Sequence, residues 1–325
     1  MNLTLKRTWI LSITIAFVAA ISIFSISPAI SDIEFAPDQG FNWYFWKRPD
    51  PTFWSRFSVW VSYLTHQLFI WGVIGWAQAN RTKLRDRNKM HPINWIALVG
   101  TALFVALHYL QTAVFYDGLG QDLPVITSQG SVIILLVIVL LMEAPRRGLF
   151  LGVGTSWFSR IRPILLRYHG YYFAWAVTFT YWYHPMETTL GHVVGFLYTF
   201  LLLIQGAFIF TRVHSNKYWT FALEGSVLVH GVIVAFVAGQ EILPMFLFGF
   251  LFLIVMTQMH GLGLSRSLRW AIGLASIFMV LIVYSSRGWG NLNEVLRIPI
   301  IDYILVFAFG GLLLLGQKLF GRRIP

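Results

Sequence analysis

Four histidines of this 325-residue chain lie inside long apolar stretches, and each has a Ser, Thr or Tyr neighbour at helical spacing. They are His66, His108, His192 and His230. Ionisable side chains within a membrane are costly, so they usually face the protein interior or a wet cavity. Neutral imidazoles bind haem iron, zinc, copper or non-haem iron, and they also transfer protons. The pattern therefore predicts that these four side chains meet in one site.

The stretch HPMETTLGH, which begins at His184, adds a carboxylate next to an apolar run. Glu187 and His192 are five residues apart, about 140° around a helix, so they do not form a local metal motif. Thr188 or Thr189 suits the N-cap of the following helix. We interpret His184 as the polar end of a helix, and we predict Glu187 as a further ligand if a metal is bound.

Glu224 is a lone carboxylate within an apolar segment, six residues before His230. Such a residue suits a proton relay, the coupling of transport to an ion, or a carboxyl that burial keeps neutral. The chain has no cysteine, so any metal must be held by His, Met, carboxylate or Tyr. The cofactors compatible with this set are haem b or a His-ligated metal ion.

The composition predicts that these residues are positioned by membrane helices. Hydrophobic residues make up 57% of the chain and charged residues 11%, whereas soluble domains carry about 25% charged residues. Segments such as SVIILLVIVLLM are apolar on every face, which favours an all-α bundle over a transmembrane β-barrel. The fold class is therefore an all-α, polytopic membrane protein.

Hydropathy predicts ten transmembrane helices in a single domain of residues 1–325. They cover residues 9–29, 54–79, 94–116, 128–143, 168–184, 188–210, 219–238, 242–259, 268–285 and 299–316, and the fourth and fifth are short. The first has the charge and apolar pattern of a secretory signal peptide, and we expect it to be retained as a signal-anchor helix.

The basic residues predict how these helices are oriented. If the N-terminus is cytoplasmic, most of the 24 Lys and Arg residues fall on the cytoplasmic side and most acidic residues fall on the other. We therefore expect both termini in the cytoplasm and the chain in a bacterial-type inner membrane or an equivalent one. The net charge of +11 is then a topology signal, which argues against nucleic acid as a partner.

Two connections are long enough to have a function. The outer connection, residues 30–53, contains the aromatic run Trp43–Trp46, which suits either a segment lying flat at the membrane surface or a lid over an outward-facing pocket. The inner connection, residues 144–167, mixes Arg with Leu, Phe and Trp. That mixture suits the anionic cytoplasmic leaflet or a phosphate clamp for an acyl-CoA. In the next outer loop, Asp117 and Asp122 favour a turn, with cation binding as the alternative.

These features support one leading hypothesis and two alternatives. The leading one is a redox or metal-dependent enzyme whose histidine-lined site, in the outer half of the bilayer, acts on a lipid-soluble substrate or electron carrier. The catalytic residues would be His66, His108 and Glu224, with His192 and His230 binding a cofactor. The first alternative is an acyltransferase that uses cytoplasmic acyl-CoA, and the second is a secondary transporter coupled through Glu224. Expected partners are membrane lipids, a lipid-soluble small molecule and a second membrane protein.

Overall fold

The computed structural model describes residues 2–40, 43–237 and 241–320, and this part of the chain forms helices and loops without a β-strand. The main helices are α1 (Leu3–Ile30), α2 (Phe53–Ala79), α3 (Pro92–Phe115), α4 (Val125–Arg147), α5 (Arg162–Tyr183), α6 (Leu190–Ala207), α7 (Lys217–Val237), α8 (Leu243–Gly261), α9 (Arg266–Arg287) and α10 (Glu294–Phe320). Each overlaps one of the ten predicted segments.

Nine of these helices, all within the described residues, are long and apolar enough to cross a membrane by length and composition, and α5 is not among them. The chain therefore has the character of a polytopic helical membrane protein, as its composition predicts. The number of spans and the side on which the termini lie stay predictions. Arg322 and Arg323, which contribute to the predicted orientation, lie outside the described residues, as do residues 41–42 of the outer connection.

The fourth and fifth helices are longer than predicted, at 23 and 22 residues. Helix α4 continues through Pro145 to Arg146 and Arg147. Charged residues at this point indicate a loop when the sequence is considered alone. Both arginines instead pair with acidic side chains, Glu143 and Glu224 respectively, and this pairing allows the helix to extend.

Several helices begin at residues whose side chains accept a hydrogen bond from the first turn. Thr52 accepts from the Ser55 amide at α2, and Thr189 accepts from the His192 amide at α6. Such caps satisfy amides that have no partner inside the helix. The predicted cap of the sixth helix is thus confirmed, and it is Thr189.

The chain divides into two compact units. The first contains Met1–Val132 and Gly170–Leu223. Within it, α2 packs against α3, and both α1 and α3 pack against α6. Gly100 allows the close approach of α2 and α3, because a Cβ atom there would overlap the Phe69 ring.

The second unit contains Ile133–His169 and Glu224–Pro325. Within it, α8 packs extensively against α10 and more lightly against α9. One turn of α8, Ile254–Gln258, is a π-helix. The loop after α4 is held by the Tyr303 hydroxyl, which donates to the Leu149 carbonyl, and by the Leu151 amide, which donates to the Met256 carbonyl at 2.8 Å. The prediction of a single domain remains untested.

Candidate functional site

Two of the predicted histidines, His66 of α2 and His108 of α3, are neighbours in the interior of the first unit. Both side chains are fully buried, and both contact the same two rings of α5. The centroid of the Trp182 ring lies 4.3 Å from that of His108, and the His66 ring stacks on Phe104 at 4.1 Å. Tyr181 lies edge-on to both imidazoles. Three helices therefore bring the two imidazoles into one cluster of aromatic rings.

The protonation state of His66 follows from its partner. The indole nitrogen of Trp182 can only donate, and it lies 3.1 Å from His66 Nδ1. Nδ1 must therefore be an acceptor, so the imidazole is neutral and carries its proton on Nε2. That Nε2–H is buried and has no hydrogen-bond partner among the described residues.

His108 makes fewer hydrogen bonds of good geometry than His66 does. The His184 backbone lies within hydrogen-bonding reach of the His108 ring, but the alignment is poor, and neither ring nitrogen makes a hydrogen bond of good geometry to any described residue. Gln111, one helical turn later, is also buried, and its amide oxygen and nitrogen both lack partners in the described structure. Buried polar groups are nearly always hydrogen-bonded, and exceptions call for an explanation such as catalysis.

A second pair of histidines, His184 and His192, lies at the end of α5 and the start of α6. His192 Nε2 is 3.3 Å from His184 Nδ1, and the Thr189 hydroxyl is 2.7 Å from His192 Nδ1. The Tyr44 hydroxyl also reaches His184 Nδ1, at 3.1 Å. In one arrangement of protons, the Thr189 hydroxyl donates to His192 Nδ1 and His192 Nε2–H donates to His184 Nδ1. The single lone pair of that His184 nitrogen is then shared with the Tyr44 hydroxyl as a weaker, three-centre contact.

The aromatic run of the outer connection covers this second pair. Tyr44 is buried against Tyr183 and His184, and Trp46 lies edge-on to His192 with the ring centroids 4.2 Å apart. Burial raises the pKa of the Tyr44 phenol well above its usual value, so this group remains a donor. The described part of the run therefore packs as a cover over the histidines, and this contact favours the lid interpretation over a segment lying flat.

Glu187 lies between these histidines in the sequence, and both of its carboxylate oxygens already accept hydrogen bonds. One carboxylate oxygen accepts from the Tyr116 hydroxyl, and the other accepts from the Thr188 amide at 2.7 Å. Burial is the main cause that raises the pKa of the Tyr116 phenol, and the hydrogen bond to Glu187 raises it further. Glu187 thus anchors the α5–α6 loop.

The first unit brings together four of the candidate residues, namely His66, His108, His192 and Glu187, and it adds His184. His230 and Glu224 belong to the second unit. Among the residues that the structure describes, no group of three or more His, Asp or Glu side chains is arranged to hold a metal ion. The predicted metal set of His66, His108, His192, His230 and Glu187 therefore has no support from this geometry.

A haem bound between His66 and His108 does not fit the observed packing. Trp182 and Tyr181 occupy the space beside both imidazoles, where a macrocycle shared by the two would have to lie. In addition, the Trp182 indole already occupies one nitrogen of His66. The residues present suit proton transfer better than haem ligation.

Asp117 and Asp122 both form ion pairs with one arginine side chain of the same protein. The Arg56 guanidinium donates to Asp117 through one nitrogen and to Asp122 through the other. Trp60 also donates to Asp122 at 2.7 Å. This network holds the α3–α4 loop together. It argues against the alternative that the two carboxylates bind a free cation, because both are already paired with Arg56.

We expect this network to make stability depend on acid pH. Burial alone would raise the pKa of Asp122, but hydrogen bonds from Arg56 and Trp60 outweigh burial and lower that pKa below 3.8. The contribution is therefore complete above about pH 4 and is lost as the pH falls through the lowered pKa of the folded state. Thermal unfolding of the wild type and of Asp122→Asn between pH 3 and pH 7 measures it. A wild-type profile that falls no more steeply than the variant's would refute this expectation.

Gly118 allows the α3–α4 loop to approach the end of α5. A Cβ atom on this residue would overlap the Tyr183 carbonyl oxygen, which is backbone and cannot move aside. We expect Gly118→Ala to lower the free energy of unfolding by about 2 kcal/mol, as overpacking does elsewhere. Gly130→Ala is the matched control, because a Cβ there meets no atom within 4 Å. Equal stabilities of the two variants would contradict the proposed close contact.

Glu224 is not the lone acid that its sequence context indicates. The Nη1 atom of Arg147 lies 2.7 Å from its carboxylate, and the Gln258 amide donates to the same oxygen. Arg147 is completely buried. The ion pair compensates both charges, which the sequence does not reveal because the partners are 77 residues apart.

The arginines of the inner connection are largely committed to contacts within the second unit. Arg146 pairs with Glu143 and donates to the Gly261 carbonyl, while Arg162 donates to the Met142 carbonyl at 2.9 Å. With Arg147 buried on Glu224, three of the five arginines available for a phosphate clamp are engaged elsewhere. This arrangement argues against the acyl-CoA alternative.

Trp182, Gln111 and the role of His184 were not predicted from the sequence. Gln111 lies three residues after His108, on the same face of α3, so the polar stripe of that helix contained a signal. Trp182 belongs to a run of aromatic residues with no feature that distinguishes it. Comparison of the chain with known protein families, curated proteins and solved structures finds no match. Its function is therefore inferred from its own residues.

Proposed function

We propose that the chain is a membrane-embedded enzyme that exchanges protons with a lipid-soluble substrate at the His66–His108 pair. One observation carries the proposal. Two fully buried imidazoles on different helices contact the same two aromatic rings, and three of their ring nitrogens make no hydrogen bond of good geometry to any described residue. A structural histidine normally satisfies its nitrogens with neighbouring groups, and these two leave theirs available for a ligand.

The two imidazoles are suited to complementary tasks. His66, fixed by Trp182 as the Nε2–H tautomer, is a hydrogen-bond donor. His108 can donate through one nitrogen and accept through the other, and the free amide of Gln111 adds a donor and an acceptor. Such a set suits a headgroup with carbonyl or hydroxyl oxygens, and the flat aromatic walls suit a ring.

A quinone-type electron carrier has this chemistry. Its reduction to a hydroquinone takes two electrons and two protons, and the histidines are suited to handle the protons. The electrons would come from a membrane-bound electron-transfer partner, in agreement with the predicted membrane-protein partner. Glu224, first predicted as catalytic, has no part in this proposal because it forms an ion pair in the second unit.

The neighbouring polar residues would carry protons between the His66–His108 pair and the aqueous surface. The His184–His192 pair with Thr189 and Tyr44 is a hydrogen-bonded series, and His184 interacts electrostatically with His108. In the orientation that the basic residues predict, with ten spans and cytoplasmic termini, this route opens on the non-cytoplasmic side of an inner membrane. Protons would then be exchanged with that side.

Binding of a defined probe to the full chain in lipid nanodiscs tests the proposal. The probe is a benzoquinone with a decyl tail, and the control ligand is decylbenzene, which has the tail and ring but no oxygen atoms. We expect saturable binding of one quinone per chain and no saturable binding of decylbenzene. Equal behaviour of the two ligands would overturn the proposal. A Soret band in the purified sample would do the same, because it would indicate that buried histidines of this chain ligate haem instead of binding a substrate.

A further inference from the structure

The second unit contains a small cavity with polar groups at one side. It has a volume of about 50 Å³, enough for a cation or a few water molecules, since one water needs roughly 10–15 Å³. Most of the lining is apolar and comes from α4, α7 and α8. The polar lining consists of Glu224, Thr257, Gln258 and Asp302.

The charges around the cavity do not balance. Arg147 neutralises Glu224 through the ion pair described above. Asp302 of α10 is buried, takes part in no ion pair within the described part of the chain, and its Oδ2 atom has no hydrogen-bond partner there. When both carboxylates are ionised, the one arginine leaves one negative charge uncompensated. An isolated buried carboxylate is very unfavourable unless a cation or a proton accompanies it.

The backbone of α8 is irregular where it lines the cavity. Thr257 and Gln258 lie in the π-helical turn, which adds a residue to the helix and is often found at functional sites. The hydroxyl of Thr257 donates to the Leu253 carbonyl and so keeps lone pairs for a ligand. The amide nitrogen of Gln258 donates to Glu224, which orients the amide of that side chain.

From this geometry we propose that Asp302, Glu224, Thr257 and Gln258 form a binding site for one small monovalent cation of the size of Na⁺. The ligands are all oxygen atoms, which hard cations prefer. A single uncompensated charge matches a monovalent ion. A divalent ion would require a further carboxylate, and the described residues contain no group of three acidic or histidine side chains suited to one. This site lies in the second unit and does not depend on the proposed quinone chemistry.

Equilibrium binding of ²²Na⁺ to the detergent-purified full chain tests this site. We expect one ion per chain, displaced by unlabelled NaCl and not by choline chloride. Asp302→Asn removes the uncompensated charge and should weaken binding at least about tenfold. Thr257→Val keeps the shape of the side chain and removes one oxygen ligand, so it should weaken binding by a few-fold even if Asp302→Asn fails to fold.

Glu143→Gln is the matched control, because Glu143 is an acidic residue of the same unit whose ion pair with Arg146 lies outside the cavity lining. We expect this variant to bind ²²Na⁺ as the wild type does. Absence of saturable binding to the wild type at millimolar Na⁺ would overturn the proposal. Unchanged binding by Thr257→Val or by folded Asp302→Asn would overturn it as well.

Discussion

Replacement of Arg147 by methionine should lower the free energy of unfolding by about 2–3 kcal/mol, because the largely buried Glu224 carboxylate loses its charge partner. Arg147 is fully buried at the end of α4, and its Nη1 atom lies 2.7 Å from the Glu224 carboxylate. Methionine fills much of the same volume, so the effect reports lost charge compensation. Denaturant unfolding in mixed micelles, followed by circular dichroism, measures the difference.

Two further variants separate the ion pair from general effects of losing an arginine. The double variant Arg147→Met/Glu224→Gln removes both charges and should recover most of the loss, since a buried pair is often replaced at little net cost. Arg146→Met removes the neighbouring arginine, whose partially exposed pair with Glu143 should contribute less than about 1 kcal/mol. A single variant Arg147→Met as stable as Arg146→Met would show that Glu224 does not need its partner.

Replacement of His108 by leucine should leave the stability of the fold unchanged and strongly weaken binding of the quinone probe. Both ring nitrogens are buried without a hydrogen bond of good geometry to any described residue. An apolar side chain removes that unsatisfied polarity, so the free energy of unfolding should stay the same or rise by up to about 1 kcal/mol. We expect binding of the decyl benzoquinone probe to weaken about 100-fold, through loss of a buried hydrogen-bonding group in the site.

His214→Leu is the matched control for this variant. His214 belongs to the same unit, and its Nδ1 atom lies 2.8 Å from the Gln205 carbonyl. Loss of that satisfied contact should cost about 1 kcal/mol of stability and leave quinone binding unchanged. A strongly destabilised His108→Leu protein would mean that His108 is structural. Normal quinone binding by a stable His108→Leu protein would exclude it from the site.

The local features of the fold could be predicted from the sequence because they depend on short segments. Runs of apolar residues marked all ten helices, since backbone groups in lipid must be satisfied within each segment. Thr189 was predicted as one of two possible caps for α6. Errors occurred where a distant partner changed the local preference, as when α4 continued to Arg147 because Glu224 neutralises that arginine.

The candidate site could be predicted only in part, for the same reason. The cost of an ionisable group in lipid indicated that His66 and His108 face the protein interior, and both are buried. The periodicity of a helix indicates which face is polar, but not which neighbouring helix that face meets. The sequence therefore could not separate His230 from the other histidines, and it did not identify Trp182, 116 residues from His66, as the group that orients that imidazole.

The amino-acid sequence by itself determined that this chain is a helical membrane protein with costly imidazoles and carboxylates inside apolar helices. Tertiary structure alone decided which of these groups meet. It placed His66 and His108 against the same two aromatic rings and covered His184 and His192 with Tyr44 and Trp46. It also paired Glu224 with Arg147 and left Asp302 without an ion-pair partner among the described residues. The physical reason is that the membrane imposes its requirements on each segment separately, whereas hydrogen bonds and ion pairs form between segments brought together only by helix packing.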